Sequence, residues 1–294
     1  MYGVASKISI AAQSVVSLAG KKMIVVGGTG GIGLAIAKAS MKAGASVTIV
    51  GRTNRGTEGL NFVPCDVSLM SNVRKLASDL PIEGADYLCF TNGIVPAKVK
   101  VVTAEGIEED MATSALSRFV FLNSAESRLK AGARVFIWGF PGSGVVKEAD
   151  VADINSEKRY GGGFSPPTHA NTVALNEALV AHWASKGVVT AGFNPGLIKT
   201  AIRNSMHGGK GFVAGFMEGV VSLFNPDTDQ YAQVILPLFT APELAEQKGL
   251  HFGQKGTTIK PSPELTPAAV QRWIDAANAL AEKAGASDAA KVTA

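Results

Sequence analysis

The chain has 294 residues, 46% of them hydrophobic and 18% charged, which excludes a disordered chain and suits one large α/β domain with a substantial core. A net charge of +4, with no block of like charges and no basic stripe interleaved with aromatics, excludes nucleic acid as the expected partner. No apolar run reaches the roughly 18 residues of a membrane span, and the two cysteines, Cys65 and Cys89, lack the CxxC spacing of a zinc site or a disulfide framework and fit a reducing, cytoplasmic setting.

Residues 1–19 read as a weakly apolar lead-in broken by serines. Short apolar runs then predict strands over 22–26, 47–50, 60–64, 87–91, 134–138, 188–193 and 250–252. Between them, apolar positions at helical spacing predict helices over 31–43, after Asp66 through Val73 and Leu76, over 108–129 and over 168–185. This alternation implies an α/β fold of the Rossmann type: a doubly wound parallel sheet of about seven strands with helices on both faces. One domain is expected over 20–260, with a C-terminal helical extension and tail over 261–294. A helix is expected over 267–284, and the tail beyond Gly285 is expected to fray.

The first strand runs into Gly27, Gly28, Thr29, Gly30, Gly31, Ile32 and Gly33, and a helix follows at once. Glycine permits a tight turn and close approach of backbone to a pyrophosphate, and the helix N-terminus offers free N–H groups and partial positive charge. The turn is therefore expected to hold NADP(H) or NAD(H). At the tip of the second strand, where an acid would accept hydrogen bonds from ribose hydroxyls, the sequence reads Gly51, Arg52, Thr53, Asn54. A guanidinium can pair with a 2′-phosphate that an acid would repel, so NADP(H) is favoured over NAD(H).

The spacing Gly27-x-x-x-Gly31-x-Gly33 resembles the turn of the short-chain dehydrogenase/reductase family. Asp66-Val67 resembles the family's adenine-contacting pair, Thr91-Asn92-Gly93 with Ile94 its Asn-Ala-Gly stretch, and Pro195-Gly196-Leu197-Ile198-Lys199-Thr200 the segment under the nicotinamide. The resemblance covers about residues 20–256. It implies an oxidoreductase with a small-molecule substrate, and a homo-oligomer, dimer or tetramer.

The family's catalytic Asn, Ser, Tyr and Lys fall near Ser114, Phe140, Thr168 and Thr172, and no register supplies a Tyr-x-x-x-Lys pair. His169 is the leading replacement as proton donor, because imidazole titrates near neutrality and the residue opens the helix beside the expected tyrosine. Tyr160 and Ser143 are further candidates in the neighbouring loops. His182, His207 and His251 lie elsewhere, and no spacing of His, Cys, Asp and Glu suggests a metal.

In the family the region matching residues 200–224 forms the substrate lid; Phe212, Phe216, Met217 and Phe224 offer an apolar wall there, which as a lid implies an apolar substrate and otherwise serves core packing or a subunit contact. The expected reaction is hydride transfer to or from a carbonyl, imine or activated alkene. A non-redox cyclase, isomerase or lyase, and an inactive NADP(H)-binding regulator, are the alternatives.

Overall fold

The computed structural model describes residues 16–54, 57–163, 167–196, 198 and 227–292. Eight strands form one sheet: β1 (Lys22–Val26), β2 (Ser46–Gly51), β3 (Asn61–Pro64), β4 (Tyr87–Phe90), β5 (Arg134–Trp138), β6 (Val189–Phe193), β7 (Leu250–Phe252) and β8 (Thr258–Ile259). Their order is β3-β2-β1-β4-β5-β6-β7-β8. The first seven are parallel, and β8 returns antiparallel to β7. Chain order reverses beside β1, and in such sheets ligands bind off the carboxyl ends of the strands at that switch.

The strands are covered on both faces, which is why they read as continuous apolar runs rather than alternating ones. Side chains still alternate. Ile24, Val26, Leu88 and Phe90 pack into one core with helices α2 (Met70–Asp79), α4 (Ser117–Ala125), α5 (Thr168–Ser185) and α8 (Pro267–Val292). Met23, Val25, Cys89 and Phe136 pack into the other with α1 (Gly31–Lys42) and α6 (Thr228–Ile235). A short α7 (Glu243–Glu246) precedes β7.

The seven parallel strands are those expected, and the added eighth is only two residues long, closed into a hairpin where Gly253 N donates to Thr257 O at 2.9 Å. Two expectations need correction. The helix expected over 108–129 is composite. A short α3 (Glu109–Met111) leads into a π-wound turn (Ala112–Leu116) and then α4, and a 3₁₀ turn (Glu126–Arg128) ends it. The C-terminal helix does not fray at Gly285 but continues to Val292. Gly285 does not take the left-handed backbone that ends helices, and Arg74 ties this stretch down through a 2.8 Å bond to Ala281 O.

Candidate active site

A cavity of about 570 Å³ opens at the carboxyl edge of the sheet where β1 meets β4. Of the residues expected to hold the cofactor, Gly27, Thr29, Gly30, Gly31, Ile32, Gly33, Arg52, Asp66, Val67, Asn92, Gly93, Ile94, Pro195, Gly196 and Ile198 line it. Thr53 and Asn54 do not. Both are exposed, and Asn54 Oδ1 accepts from Thr57 Oγ1 at 2.8 Å within its own loop. Thr200 and the rest of the expected lid lie outside the described residues.

The glycine turn is shaped by close packing. Gly27 has φ +86°, and a Cβ there would stand 2.4 Å from Asn92 N. A Cβ on Gly33 would stand 2.3 Å from Thr91 Oγ1 and 2.4 Å from Gly27 O. Helix α1 has no side-chain cap at Gly30 and no acid in its first turn. Its first N–H groups face the cavity without an internal acceptor, so the turn fits a pyrophosphate. Asn92 lines the same wall, and its buried Oδ1 has no hydrogen-bond partner among the described residues.

The other end of the cavity lies between α3, the π turn and α5. His169, Thr172, Val173 and Asn176 of α5 line the cavity, at the i, i+3, i+4, i+7 spacing of one helix face. Asp110 sits behind them, fully buried. Its carboxylate accepts from Ser114 Oγ at 2.5 Å and Thr172 Oγ1 at 3.0 Å, and Oδ2 lies 3.6 Å from His169 Nδ1. Ser114 Oγ also accepts from Ile94 N at 2.9 Å, coupling the helix to the loop after β4. The Phe140 ring meets that of His169 edge-on at 6.1 Å.

The other two proton-donor candidates stand outside this cavity. Phe140 (φ 55°) and Gly142 (φ 67°) turn the chain so that Gly142 N donates to Glu177 at 2.9 Å, which leaves Ser143 exposed to solvent. Tyr160 donates its hydroxyl to Ala97 O at 2.6 Å. Burial and then the carboxylates of Glu108, Asp110 and Glu109 push its phenol up to about 12, so it stays protonated. Thr168, the position expected for tyrosine, is buried and accepts from Gly161 N at 3.0 Å.

Sequence reasoning missed Arg118. It is 1% exposed and lines the cavity. Its guanidinium donates to Trp138 O at 3.0 Å, to Asn176 Oδ1 at 2.8 Å and to Asn92 O. Burial pushes it down to about 9, so it remains a cation at neutral pH. Asn176, which also donates to Ser114 O and Thr172 O, completes the network. The available signal was the spacing of Asp110, Ser114 and Arg118, four residues apart on one face of a helix.

Glu108 supplies a pH test of this region. It is 1% exposed, and its side chain accepts from Met111 N at 2.7 Å. Burial, then that bond working against it, then the Asp110 charge, bring its carboxyl from 4.5 up to about 7. Between these values the folded chain holds a proton that the unfolded chain has lost, so stability falls as pH rises through the window. Glu108→Gln keeps an acceptor without the charge. It is expected to leave stability unchanged at pH 4 and to raise it at pH 8 by about 3 kcal/mol, read by denaturant unfolding at both pH values.

No family model matches the chain. An uncharacterized oxidoreductase of Saccharomyces cerevisiae is 36% identical over 274 residues, 88% of this chain and 87% of that protein. A short-chain dehydrogenase/reductase of Armillaria gallica is 24% identical over 261 residues, 79% of this chain and 80% of that protein. The solved short-chain dehydrogenase/reductase of Serratia marcescens superposes with a TM-score of 0.58 at 16% identity, covering 81% of this chain and 98% of that one, a likeness of fold. The chain belongs to the short-chain dehydrogenase/reductase family. It is an oxidoreductase whose cofactor is a nicotinamide dinucleotide. No helix among the described residues is long and apolar enough to cross a membrane.

Proposed function

We propose that this protein is an NADP(H)-dependent oxidoreductase that moves a hydride to or from a carbonyl, imine or activated alkene of a largely apolar small molecule, with His169 as its proton donor. The observation that carries this reading is the placement of His169. It lines the cavity on α5 with the Asp110 carboxylate 3.6 Å behind Nδ1, on a helix that contains neither tyrosine nor lysine.

The dinucleotide supplies the hydride when bound. The first turn of α1 would hold its pyrophosphate, and Asp66, Asn92 and the Pro195–Gly196 backbone would line the rest of its length. Arg52 stands exposed at the tip of β2, on the cavity wall, where a guanidinium can pair with a 2′-phosphate. Asp110 orients the imidazole of His169, which passes a proton to the developing alkoxide or takes one in the reverse direction.

The test is transfer of label from 4-deuterated NADPH to a panel of ketones, imines and enones. Deuterium in the product supports the reading, and tight binding of NADPH without transfer to any of them overturns it. His169→Ala is expected to slow single-turnover reduction of a ketone by about 10²-fold or more, with NADPH affinity kept. Turnover at the wild-type rate would remove the histidine from its role. Arg52→Ala is expected to weaken NADPH by about tenfold or more relative to NADH in parallel titrations, the loss of one charge-assisted pair. An unchanged ratio would detach cofactor choice from this residue.

A further inference from the structure

Helix α5 meets the loop after β5 at two points. In its first turn, the His169 ring faces the Phe140 ring edge-on at 6.1 Å. Eight residues on, Glu177 is 2% exposed, and its carboxylate is surrounded by donors. Gly142 N and Ser262 Oγ donate to Oε1 at 2.9 and 2.8 Å, and Ser262 N donates to Oε2 at 2.8 Å. A carboxylate is held at such depth only by hydrogen bonds of this kind.

The loop needs anchors because Phe140 has φ 55°, a left-handed backbone that a bulky residue keeps only where its surroundings hold it. Gly139 N and Phe140 N donate to Phe193 O at 3.2 and 3.3 Å, and Asn194 Nδ2 donates to Pro141 O at 2.9 Å. These bonds tie the loop to the end of β6. The bond from Gly142 N to Glu177 ties it to α5, the helix that carries His169. The Phe140 ring and the imidazole are thereby referred to one rigid element, and both line the cavity.

We propose that Glu177 is a positioning residue for this site: its buried carboxylate holds the loop after β5 so that the Phe140 ring stands against the His169 imidazole in the cavity wall. This rests on the reading of His169 as the proton donor, because it names what fixes the surroundings of that ring.

The test reads the His169 ring by NMR in the full chain. The sequence has four histidines, so the ring C–H signal lost in His169→Ala belongs to His169, and a neighbouring aromatic ring displaces it. Phe140→Ala is expected to shift this signal, and Glu177→Met, which fills the space without an acceptor, to shift it in the same direction. Glu177→Gln keeps an oxygen for Gly142 N but turns its amide toward Ser262 N. It and Ser262→Ala are expected to lower the melting temperature and to leave the signal in place. In single-turnover reduction Glu177→Met is expected to be about tenfold slower or more at unchanged NADPH affinity. Glu177→Met combined with Phe140→Ala is expected to be no slower than Phe140→Ala alone, because both act through the same ring. A signal that stays in place in Glu177→Met, one that shifts equally in Ser262→Ala or Glu177→Gln, or additive losses of rate would overturn the proposal. Should Glu177→Met not fold, Gly142→Ala displaces the same loop from its exposed side, since its Cβ would stand 2.9 Å from Lys260 O, and an unmoved His169 signal there overturns the proposal equally. Failure of the oxidoreductase reading shows separately, as absence of hydride transfer from NADPH, and the His169 signal decides the placement of the ring without it.

Discussion

Gly27→Ala is expected to weaken NADPH binding by about hundredfold or more, equivalent to about 2.7 kcal/mol. The added Cβ would stand 2.4 Å from Asn92 N, 2.7 Å from Asn92 Cα and 2.9 Å from the Thr91 carbonyl carbon. These are backbone atoms and cannot swing aside as a flexible side chain would. Thr91 N and Asn92 N are pinned to Val26 O at 2.9 and 3.1 Å, so relief must distort the seam between β1 and β4. The left-handed backbone at φ +86° adds about 1–2 kcal/mol for any residue with a Cβ. That seam carries the phosphate turn on one side and Asn92 on the other, so both ends of the cofactor site move together. Gly30→Ala is the matched control for stability. Its Cβ meets nothing within 4 Å and its φ of −167° is ordinary extended backbone, so its melting temperature should stay at the wild-type value. Equal melting temperatures and equal NADPH affinities for Gly27→Ala and the wild type would contradict this view of the turn.

Arg118→Met is expected to cost about 3–5 kcal/mol of stability, the range for breaking a buried charged network from one side. Methionine fills much of the volume but leaves Trp138 O, Asn176 Oδ1 and Asn92 O without their donor, inside a site where Asp110 also loses a nearby positive charge. For a chain of this size that corresponds to a fall of about 10 °C in melting temperature, read by calorimetry. Arg118→Lys keeps the charge but cannot reach three acceptors with a planar fork, and should fall between the two. A methionine variant that melts with the wild type would show that the network contributes little. Arg118 joins the loop after β4, the end of β5 and α5, so the same substitution should loosen the wall that positions His169.

The features legible in the sequence are those written in consecutive residues. The glycine turn joins β1 to α1 without interruption, and both its place and its glycines could be read because the steric demand is local. The strands covered on both faces appear as unbroken apolar runs, and α5 spans the expected residues 168–185. Features set by tertiary contact were not legible. The direction of the loop after β5 depends on the positive φ of Phe140 and on Glu177, thirty-five residues from its partner Gly142, so Ser143 could not be placed from its neighbours. Tyr160 turns to Ala97 for the same reason, a contact across 63 residues. Arg118 reads as one polar residue in a helix until Asn92, Trp138 and Asn176 converge on it. The carboxylates of Glu109 and Asp110 take different environments, cavity wall and core, because consecutive residues of a helix face different sides, and only the packing against α5 decides which side is the core.

On the reading proposed above, the turn from Gly27 to Gly33, together with Arg52, binds a nicotinamide dinucleotide and prefers the 2′-phosphorylated form. That claim is tested most directly by titrating the purified protein into NADPH and, separately, NADH, while following the fluorescence of the reduced nicotinamide. Saturable enhancement with both, and at least about tenfold tighter binding of NADPH, is the expected result. No saturable change with either cofactor would contradict the claim, and tighter binding of NADH would contradict the part assigned to Arg52.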